Sequence, residues 1–228
     1  MTDSEWIQTI GEGWYRELKD TIHSPYFKKL GKDIAIIRKT KEVYPNREDL
    51  VRAFRLTPYN HLLKAVLLGQ DPYASNAACG VSFGVKYGTE KIPASLKRIK
   101  EEVISDIYPD EPYKYFDYTL QKWANQGILL LNTALTVESG NPGSHISLWK
   151  EFTEKVFEIL NKKNDLIYLC MGKFAEGVVN THITNLSCAK IIVGHPSPLN
   201  SIVPFLGSKP FSKVNAELEA RNLQPIMW

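Results

Sequence analysis

Four short runs of almost uninterrupted apolar residues alternate along the chain with longer stretches in which apolar residues recur every three to four positions. The runs are residues 62–68, 127–131, 166–170 and 189–193. Each run has the length of a strand, and continuous apolar patterning is typical of strands that are covered on both faces. The pattern therefore predicts a central four-stranded parallel sheet.

Helical periodicity occupies much of the chain between and around these runs. Apolar side chains recur on one face of each stretch, which is typical of helices that pack against a core. The N-terminal stretch is followed by Pro25, Pro45 and polar residues, which predict a segment that runs along the surface. The predicted helices are residues 3–18, 95–107, 118–123, 148–160, 174–179 and 212–221.

The order of strands and helices predicts an α/β fold with three layers, α/β/α. The chain contains no internal repeat, low-complexity tract or linker, so we expect one domain over residues 1–228. With 228 residues, 43% of them hydrophobic and 23% charged, the composition is ordinary for a globular domain with a sizeable core. The net charge of +3 permits binding to a polyanion without requiring it.

The cysteines and the N-terminus bear on the compartment. Cys79, Cys170 and Cys188 are odd in number and lack the short spacing of a zinc or redox motif, so we expect reduced thiols. The first residues carry acids where a signal peptide would carry bases, and no apolar run is long enough to span a membrane. We therefore expect a soluble, unprocessed cytoplasmic protein without a membrane partner.

Polar residues follow each predicted strand at its carboxyl end. Asp71 follows the first strand, Asn132 the second, Lys173 the third and His195 the fourth. Open α/β sheets place ligand sites at this edge, so we expect the four residues to converge in one cleft. Taken singly, an Asp-Pro turn, a loop-capping amide and a turn histidine are ordinary structural features. The combination of an acid, an amide, a cation and an imidazole favours a catalytic site.

Several short motifs occur in a fixed order between about residue 62 and residue 222. They are GQDPY at 69–73, GVSF at 80–83, LLLNTALTV at 129–137, SH at 144–145 with Trp149 and Phe152, HPSPL at 195–199, and FSKVN at 211–215. Together they resemble the signature segments of family 1 uracil-DNA glycosylases. The resemblance implies hydrolysis of the N-glycosidic bond of a uracil flipped out of DNA, without a metal or cofactor.

The resemblance implies two catalytic residues with opposite electrostatic tasks. Asp71 is expected to activate a water molecule and to stabilise the cationic, oxocarbenium-like sugar that forms as the bond breaks. His195 is expected to hydrogen-bond to uracil O2 as negative charge develops on the departing base. The reaction is expected to leave an abasic site, the first step of base-excision repair.

Four further residues are expected to bind the base. The amide of Asn132 can pair with uracil O4 and N3–H, whereas cytosine presents the opposite pattern at both atoms. The resemblance implies that Tyr73 excludes the thymine methyl group and that Phe83 stacks on the base, although core packing alone would also account for Phe83. Gln70 is expected to line the pocket mainly through its backbone.

Another group of residues is expected to contact the DNA strand. Leu199 matches an apolar wedge that fills the space left by the extruded base. Ser95 and Ser197 match serines that bind phosphates, and a helix N-cap is an alternative or additional role for Ser95. Gly172 and Lys173 occupy the place of a Gly-Ser phosphate contact. The implied partners are single- or double-stranded DNA containing uracil and a proteinaceous inhibitor, bound by a monomer.

The chain departs from the family pattern in its first motif. Ala74 replaces a histidine that contacts the water and a phosphate, and the segment 74–79 is about one residue shorter and lacks a Gly-Pro pair, so we expect its loop to take a different path. Lys173 in place of serine is a second departure, which introduces a charge. Because Asp71, Asn132 and His195 are all present, we interpret the chain as an active variant.

Two alternatives remain open from the sequence alone. Ala74 favours a DNA-binding or replication-scaffold homologue with weak or no excision activity. Excision of a different deaminated or alkylated base is the other alternative, and the combination of Tyr73 with Asn132 disfavours it.

Overall fold

The structure is a computed structural model that describes residues 1–110, 115–199 and 203–228. Its helices are α1 (Asp3–Ile10), α2 (Glu12–His23), α3 (Pro25–Thr40), α4 (Arg52–Leu56), α5 (Ala94–Ile107), α6 (Gln121–Ala124), α7 (Ile146–Asn161), α8 (Lys173–His182) and α9 (Pro210–Ala220), with a 3-10 turn at Arg47–Asp49. Its strands are β1 (Val43–Tyr44), β2 (Ala65–Gly69), β3 (Ile128–Asn132), β4 (Val137–Glu138), β5 (Ile167–Met171) and β6 (Ala189–Val193).

The central sheet contains four parallel strands in the order β3-β2-β5-β6. Every residue of β2, β3 and β5 is buried. Because successive side chains in a strand point to opposite faces, both faces of the sheet must be covered by the surrounding helices. Edge strand β6 is partly exposed. The predicted α/β class and the four-stranded parallel sheet are therefore confirmed.

The N-terminal region differs from its prediction at one residue. The stretch 3–18 was expected to form one helix, but α1 ends before Gly11 and α2 begins after it. Gly11 has a φ of +83°, a conformation that glycine adopts without the steric cost of a Cβ atom. The two helices are consequently separate elements that pack against each other.

The polar segment after Pro25 lies largely at the surface, as predicted, but Pro25–Thr40 form a helix, α3, that was not predicted. The side chain of Ser24 accepts a hydrogen bond from the Phe27 N–H at 3.1 Å, and Pro25 occupies the first turn. Both are regular signals of a helix start. The helix buries only Leu30 and Ile34 among its residues, which explains why its polar composition concealed it.

A second, two-stranded sheet pairs β1 with β4 and has no counterpart in the prediction. Each strand is two residues long, which is too short to produce a recognisable alternation of polar and apolar residues. The pairing ties the chain after α3 to the loop after β3, and Val43, Tyr44 and Val137 are buried there. The strand predicted from residue 62 begins at Ala65, and Leu62 lies outside it and is exposed.

The chain segments that leave β2 and β3 stay paired beyond the sheet. The Thr133 N–H donates to the Gly69 carbonyl at 3.1 Å, and the Ala134 N–H donates to the Gln70 carbonyl at 2.9 Å. The Thr133 hydroxyl also donates to the Gln70 carbonyl, at 2.6 Å. These bonds hold Asp71, which follows Gln70, beside the end of β3. In the described part of the chain, no helix combines the length and apolar character needed to cross a membrane.

Candidate active site

A cavity of about 390 Å³ opens beyond the carboxyl ends of β2, β3 and β6. Its volume falls in the range of about 300–1,000 Å³ that is typical of small-molecule sites. A second cavity of about 510 Å³ shares His195 and Ser197 with the first. The first cavity is lined by Gly69, Gln70, Asp71, Pro72, Tyr73, Ala74, Phe83, Ser95, Asn132, Pro142, His195 and Ser197.

The second cavity contains Gly172, Lys173 and Leu199. All eleven residues that the sequence singled out as catalytic, base-binding or DNA-binding therefore line one or both of two cavities with a common wall. The parallel arrangement of the strands accounts for this convergence, because every strand delivers its carboxyl end to the same edge.

Asp71 is held by hydrogen bonds to both carboxylate oxygens. Its Oδ2 accepts the Gly143 N–H at 2.5 Å, and its Oδ1 accepts from the Gln70 side-chain amide at 3.4 Å. Burial raises the pKa of the Asp71 carboxyl, while these two hydrogen bonds oppose the rise. Gln70 therefore faces the acid through its side chain, whereas its carbonyl is engaged by Thr133 and Ala134.

The loop that carries Gly143 is tied down on both sides. The Gly140 N–H donates to the Ala74 carbonyl at 2.9 Å, so the residue that replaces the expected histidine contacts this loop through its backbone. At the start of the loop, both carboxylate oxygens of Glu138 lie 2.8 Å from Lys41 Nζ. The Glu138 N–H donates to Ser144 Oγ at 2.9 Å, which joins the start of the loop to its end.

His145 lies at the end of the same loop and is buried. Its Nδ1 lies 2.8 Å from the hydroxyl of Thr136, which also accepts the Trp149 indole N–H at 2.7 Å. Since the indole can only donate, Thr136 Oγ1 accepts from Trp149 and also joins the imidazole through Nδ1, which leaves Nε2 as the other ring nitrogen. That Nε2 lies 3.7 Å from Glu138 Oε1. Burial lowers the pKa of His145, which favours the neutral ring.

Asn132 lies directly opposite Gly69 in the pairing of β2 with β3. A Cβ atom at Gly69 would lie 2.3 Å from Asn132 Oδ1, so only glycine leaves room for the amide. Asn132 Oδ1 is buried and has no hydrogen-bond partner among the described residues. An unsatisfied buried polar atom costs about 1–3 kcal/mol. A donor on a bound base would remove this cost.

His195 begins the loop after β6 and is held in one tautomer. Its Nδ1 accepts the Ser197 N–H at 3.0 Å, so the proton of the neutral ring resides on Nε2. Burial lowers the pKa of His195 and thereby favours the neutral form. The ring packs over Gly172, where a Cβ atom would approach His195 Cβ to 2.8 Å. Glycine at this position therefore allows the imidazole to occupy the site.

The aromatic residues form a connected wall. The rings of Phe83 and His195 lie 6.0 Å apart between centroids, with an angle of 45° between their planes. The Tyr73 hydroxyl donates to the Phe83 carbonyl at 3.1 Å and lies 3.0 Å from Ser95 Oγ. The N-cap role considered for Ser95 is wrong, because Pro93 is the N-cap of α5 and Ser95 is its second residue.

Four of the predicted DNA-contacting residues, Gly172, Lys173, Ser197 and Leu199, line the second cavity, and Ser95 lines the first. Leu199 is 92% exposed, and its N–H donates to Ser197 Oγ at 3.2 Å. The exposed side chain of Lys173 lies 3.0 Å from a carboxylate oxygen of Glu176. Arg98, which no motif had marked, donates from Nη1 to the Ser197 carbonyl at 3.1 Å.

The arrangement provides an acid, a neutral imidazole donor and a buried amide oxygen with unused capacity. Within residues 1–110, 115–199 and 203–228, no three His, Cys, Asp or Glu side chains are grouped as ligands for a metal ion. Such a set of groups suits the cleavage of a bond that leaves a cation on one side and an anion on the other. The fold and site together are those of an α/β protein equipped for this class of bond cleavage.

Comparison with known proteins agrees with this class. Residues 58–219 match the uracil DNA glycosylase superfamily. Over 224 aligned residues the chain is 43% identical to a protein named uracil-DNA glycosylase 1 from Listeria monocytogenes, and the alignment covers 94% of this chain and 96% of the relative. A uracil-DNA glycosylase from Clostridium perfringens is 41% identical over 218 residues, which is 94% of each chain.

A solved structure gives the same result. The structure of a mimivirus uracil-DNA glycosylase variant in complex with UGI is 26% identical and superposes with a TM-score of 0.83, over 95% of this chain and 88% of the viral one. This chain therefore belongs to the uracil DNA glycosylase superfamily. The resemblance inferred from the sequence motifs is confirmed.

Proposed function

We propose that this protein is a uracil-DNA glycosylase that removes uracil from single- or double-stranded DNA and leaves an abasic site with the strand uncut. The observation that supports this most directly is that Asp71, Asn132 and His195, which lie at or just beyond the carboxyl ends of three different strands, line one cavity. An acid, a pairing amide and a donor imidazole are the groups that excision of uracil requires.

The charges that develop in the reaction match this cavity. The bond between C1′ of the deoxyribose and N1 of uracil breaks, the electron pair leaves with the base, and the sugar becomes oxocarbenium-like. Asp71 acts as a carboxylate that stabilises the sugar cation and orients a water molecule, whose oxygen bonds to C1′. One water proton passes to Asp71 and the uracil anion is protonated from solvent, which gives free uracil and an abasic sugar.

Asp71 obtains its orientation here without the histidine that Ala74 replaces. The Gly143 N–H and the Gln70 amide hold the carboxylate on two sides. A raised pKa makes the carboxylate a better proton acceptor than an ordinary aspartate. We therefore interpret the variant motif as compatible with catalysis.

His195 acts as an electrophile toward the departing base. With Nδ1 engaged by the Ser197 N–H, the neutral ring presents its Nε2–H as a donor. The lowered pKa favours this neutral form at neutral pH. Donation to uracil O2 strengthens as negative charge gathers there, which is how a preorganised donor lowers a barrier.

Base selection follows from three side chains of the same cavity. Asn132 pairs with uracil O4 and N3–H, and cytosine would leave buried groups mispaired. Tyr73 crowds C5 and excludes the thymine methyl group. Phe83 stacks on the flipped base beside His195. The hydrogen bond from Tyr73 to the Phe83 carbonyl keeps these two residues in fixed relation.

The remaining predicted residues form the proposed DNA surface. Leu199 enters the helix where the base has left, which requires an exposed apolar side chain. Ser95, Ser197 and the backbone at Gly172 contact phosphates, and Lys173 supplies a charged contact once it separates from Glu176. These contacts position the strand without reading its sequence.

We propose that the enzyme acts as a monomer in the cytoplasm, as one domain over residues 1–228. The bacterial origin of its relatives favours this location, since bacterial chromosomal DNA lies in the cytoplasm. The viral glycosylase that was solved in complex with UGI makes an inhibitor protein of this kind a candidate partner.

The proposal is tested by measuring free uracil released from an oligonucleotide that contains one uracil, in single-stranded and duplex form, with a chelator present. We expect release from both, and cleavage of the strand only after alkaline treatment. Normal binding to abasic DNA without any uracil release would instead indicate a binding or scaffold role. Oligonucleotides that carry other lesions would reveal a different base preference.

A further inference from the structure

One face of α5 carries three charged residues at a spacing of four, Arg98, Glu102 and Asp106. Residues four apart lie above one another on a helix, so the three form a row along the helix axis. Arg98 and Glu102 contact the backbone of the segment between His195 and α9, and Asp106 contacts the backbone of the first turn of α9. This row has no role in the proposed chemistry and matches none of the sequence motifs.

These contacts fall at the two ends of the stretch from Ser197 to Ser212, which carries Leu199. At the first end, Arg98 Nη1 donates to the Ser197 carbonyl at 3.1 Å, two residues before Leu199. At the other end, the Glu102 carboxylate accepts the N–H groups of Gly207 at 2.6 Å and Lys209 at 2.7 Å. Asp106 then caps α9, accepting the N–H groups of Phe211 and Ser212, both at 2.9 Å.

The far end of the segment is anchored strongly. Glu102 is 0% exposed, and a buried carboxylate is tolerated only when its oxygens are hydrogen-bonded. Each Glu102 oxygen accepts one backbone N–H, so this contact joins the backbone of the segment directly to helix α5. Asp106 adds a negative charge at the N-terminus of α9, where the helix dipole favours it. Near Leu199, by contrast, the row makes one contact, from Arg98 to the Ser197 carbonyl.

A wedge can push a base out of a duplex only if its own backbone is held. Extrusion from a duplex costs a few kcal/mol of stacking and pairing. Leu199 is 92% exposed, and its N–H is bonded only to the neighbouring Ser197 in the contacts described above. The bond from Arg98 to the Ser197 carbonyl connects the backbone just before Leu199 to α5.

We propose that Arg98 is a positioning residue for Leu199 and that its contact with Ser197 sets the rate of excision from duplex DNA relative to single-stranded DNA. This inference rests on the proposed function and extends it to a residue outside the two cavities. A single strand has no base pair to break, so its uracil reaches the pocket without the wedge. Loss of the Arg98 contact consequently affects the two substrates unequally.

The experiment compares kcat/KM of wild type and Arg98→Met on the same uracil-containing oligonucleotide, single-stranded and in a duplex. We expect roughly a tenfold loss on the duplex, as small misplacements of a working group commonly cause, and less than a twofold change on the single strand. Leu199→Ala is expected to lose at least as much activity on the duplex. The double variant is expected to lose no more than Leu199→Ala alone, because both changes disable the same wedge. Arg98→Lys, which keeps a donor, is expected to recover part of the duplex rate.

Lys97→Met is the matched control, since it removes a positive charge from the adjacent, exposed position of α5. A direct phosphate contact by Arg98 would lower the slope of log binding constant against log salt concentration by about 0.9 in Arg98→Met. The positioning role predicts an unchanged slope. Equal losses on both substrates, a reduced slope, or an unaffected duplex rate in either Leu199→Ala or Arg98→Met would each overturn the inference. Failure of the wild type to release uracil from either substrate would refute the proposed function instead.

Discussion

At the scale of single residues, Asp71 combines a catalytic task with a cost in stability. Burial raises its pKa, so the folded protein binds the Asp71 proton more readily than the unfolded chain does. The resulting stability is present at low pH and is lost as pH rises from the ordinary aspartate value through the raised one. At neutral pH the ionised carboxylate therefore destabilises the fold.

We expect Asp71→Asn to raise the melting temperature at pH 7, because the amide keeps an acceptor for the Gly143 N–H and carries no charge. The gain should disappear below about pH 3.9, where an ordinary aspartate is itself protonated. Calorimetry across this range measures both effects, with the exposed Asp20→Asn as control. A lower melting temperature at pH 7 would mean that the hydrogen bond from Gly143 outweighs the burial of the charge.

The Tyr73 side chain has two separable features, the bulk of its ring and the hydrogen bonds of its hydroxyl. We expect Tyr73→Ala to permit release of thymine from DNA, since it removes the ring that crowds C5. Tyr73→Phe keeps the ring but loses the hydrogen bonds with the Phe83 carbonyl and Ser95, so it should exclude thymine and bind DNA more weakly. Release of both bases from matched oligonucleotides gives the comparison. Thymine release by Tyr73→Phe would show that the hydroxyl, and not the ring, provides the selection.

At the scale of elements, the loop between β4 and α7 determines how Asp71 is presented. The ion pair of Lys41 with Glu138 anchors the start of this loop, and the Gly143 N–H near its end reaches Asp71. We expect Glu138→Gln and Lys41→Met each to lower kcat roughly tenfold with little change in KM, since a misplaced catalytic group can cost up to about 100-fold. The double variant should cost no more than either single change, because both break one contact.

Single-turnover excision rates measure this effect, and Lys29→Met serves as the control because it breaks an ion pair with Asp33 elsewhere on the surface, on α3. A fall in melting temperature without any change in kcat would mean that the loop contributes to stability alone.

The elements themselves differ in how far their sequence predicts them. The buried strands were predictable because a short, continuous apolar run is typical of a strand covered on both faces, and α5 and α7 because their apolar stripes are long. Helix α3 was missed since it buries two residues only, and the pair of β1 and β4 because it is too short to show a period. The polar composition of α3 kept it from being recognised as a helix, although Ser24 and Pro25 marked its start.

At the scale of the whole molecule, the parallel sheet explains why residues far apart in sequence meet. Asp71 and His195 are more than a hundred positions apart, yet both follow strands that end at the same edge. This topology could be inferred from the sequence, and with it the convergence of the candidate site residues. The contacts of Gly143 and Arg98 could not be inferred, because each involves a backbone group, the Gly143 N–H or the Ser197 carbonyl, that leaves no mark on residue type. The Ala74 carbonyl contacts the loop that holds Asp71, a backbone bond that does not depend on the side chain at this position.

Asp71 is the group proposed to stabilise the sugar cation and activate water, and the single-turnover rate of uracil release by Asp71→Asn tests this role most directly. We predict a rate lower by roughly 10²–10⁴-fold, the usual contribution of a general base, while affinity for uracil-containing DNA stays close to that of the wild type. Uracil release by Asp71→Asn at the full wild-type rate would contradict the assignment of Asp71.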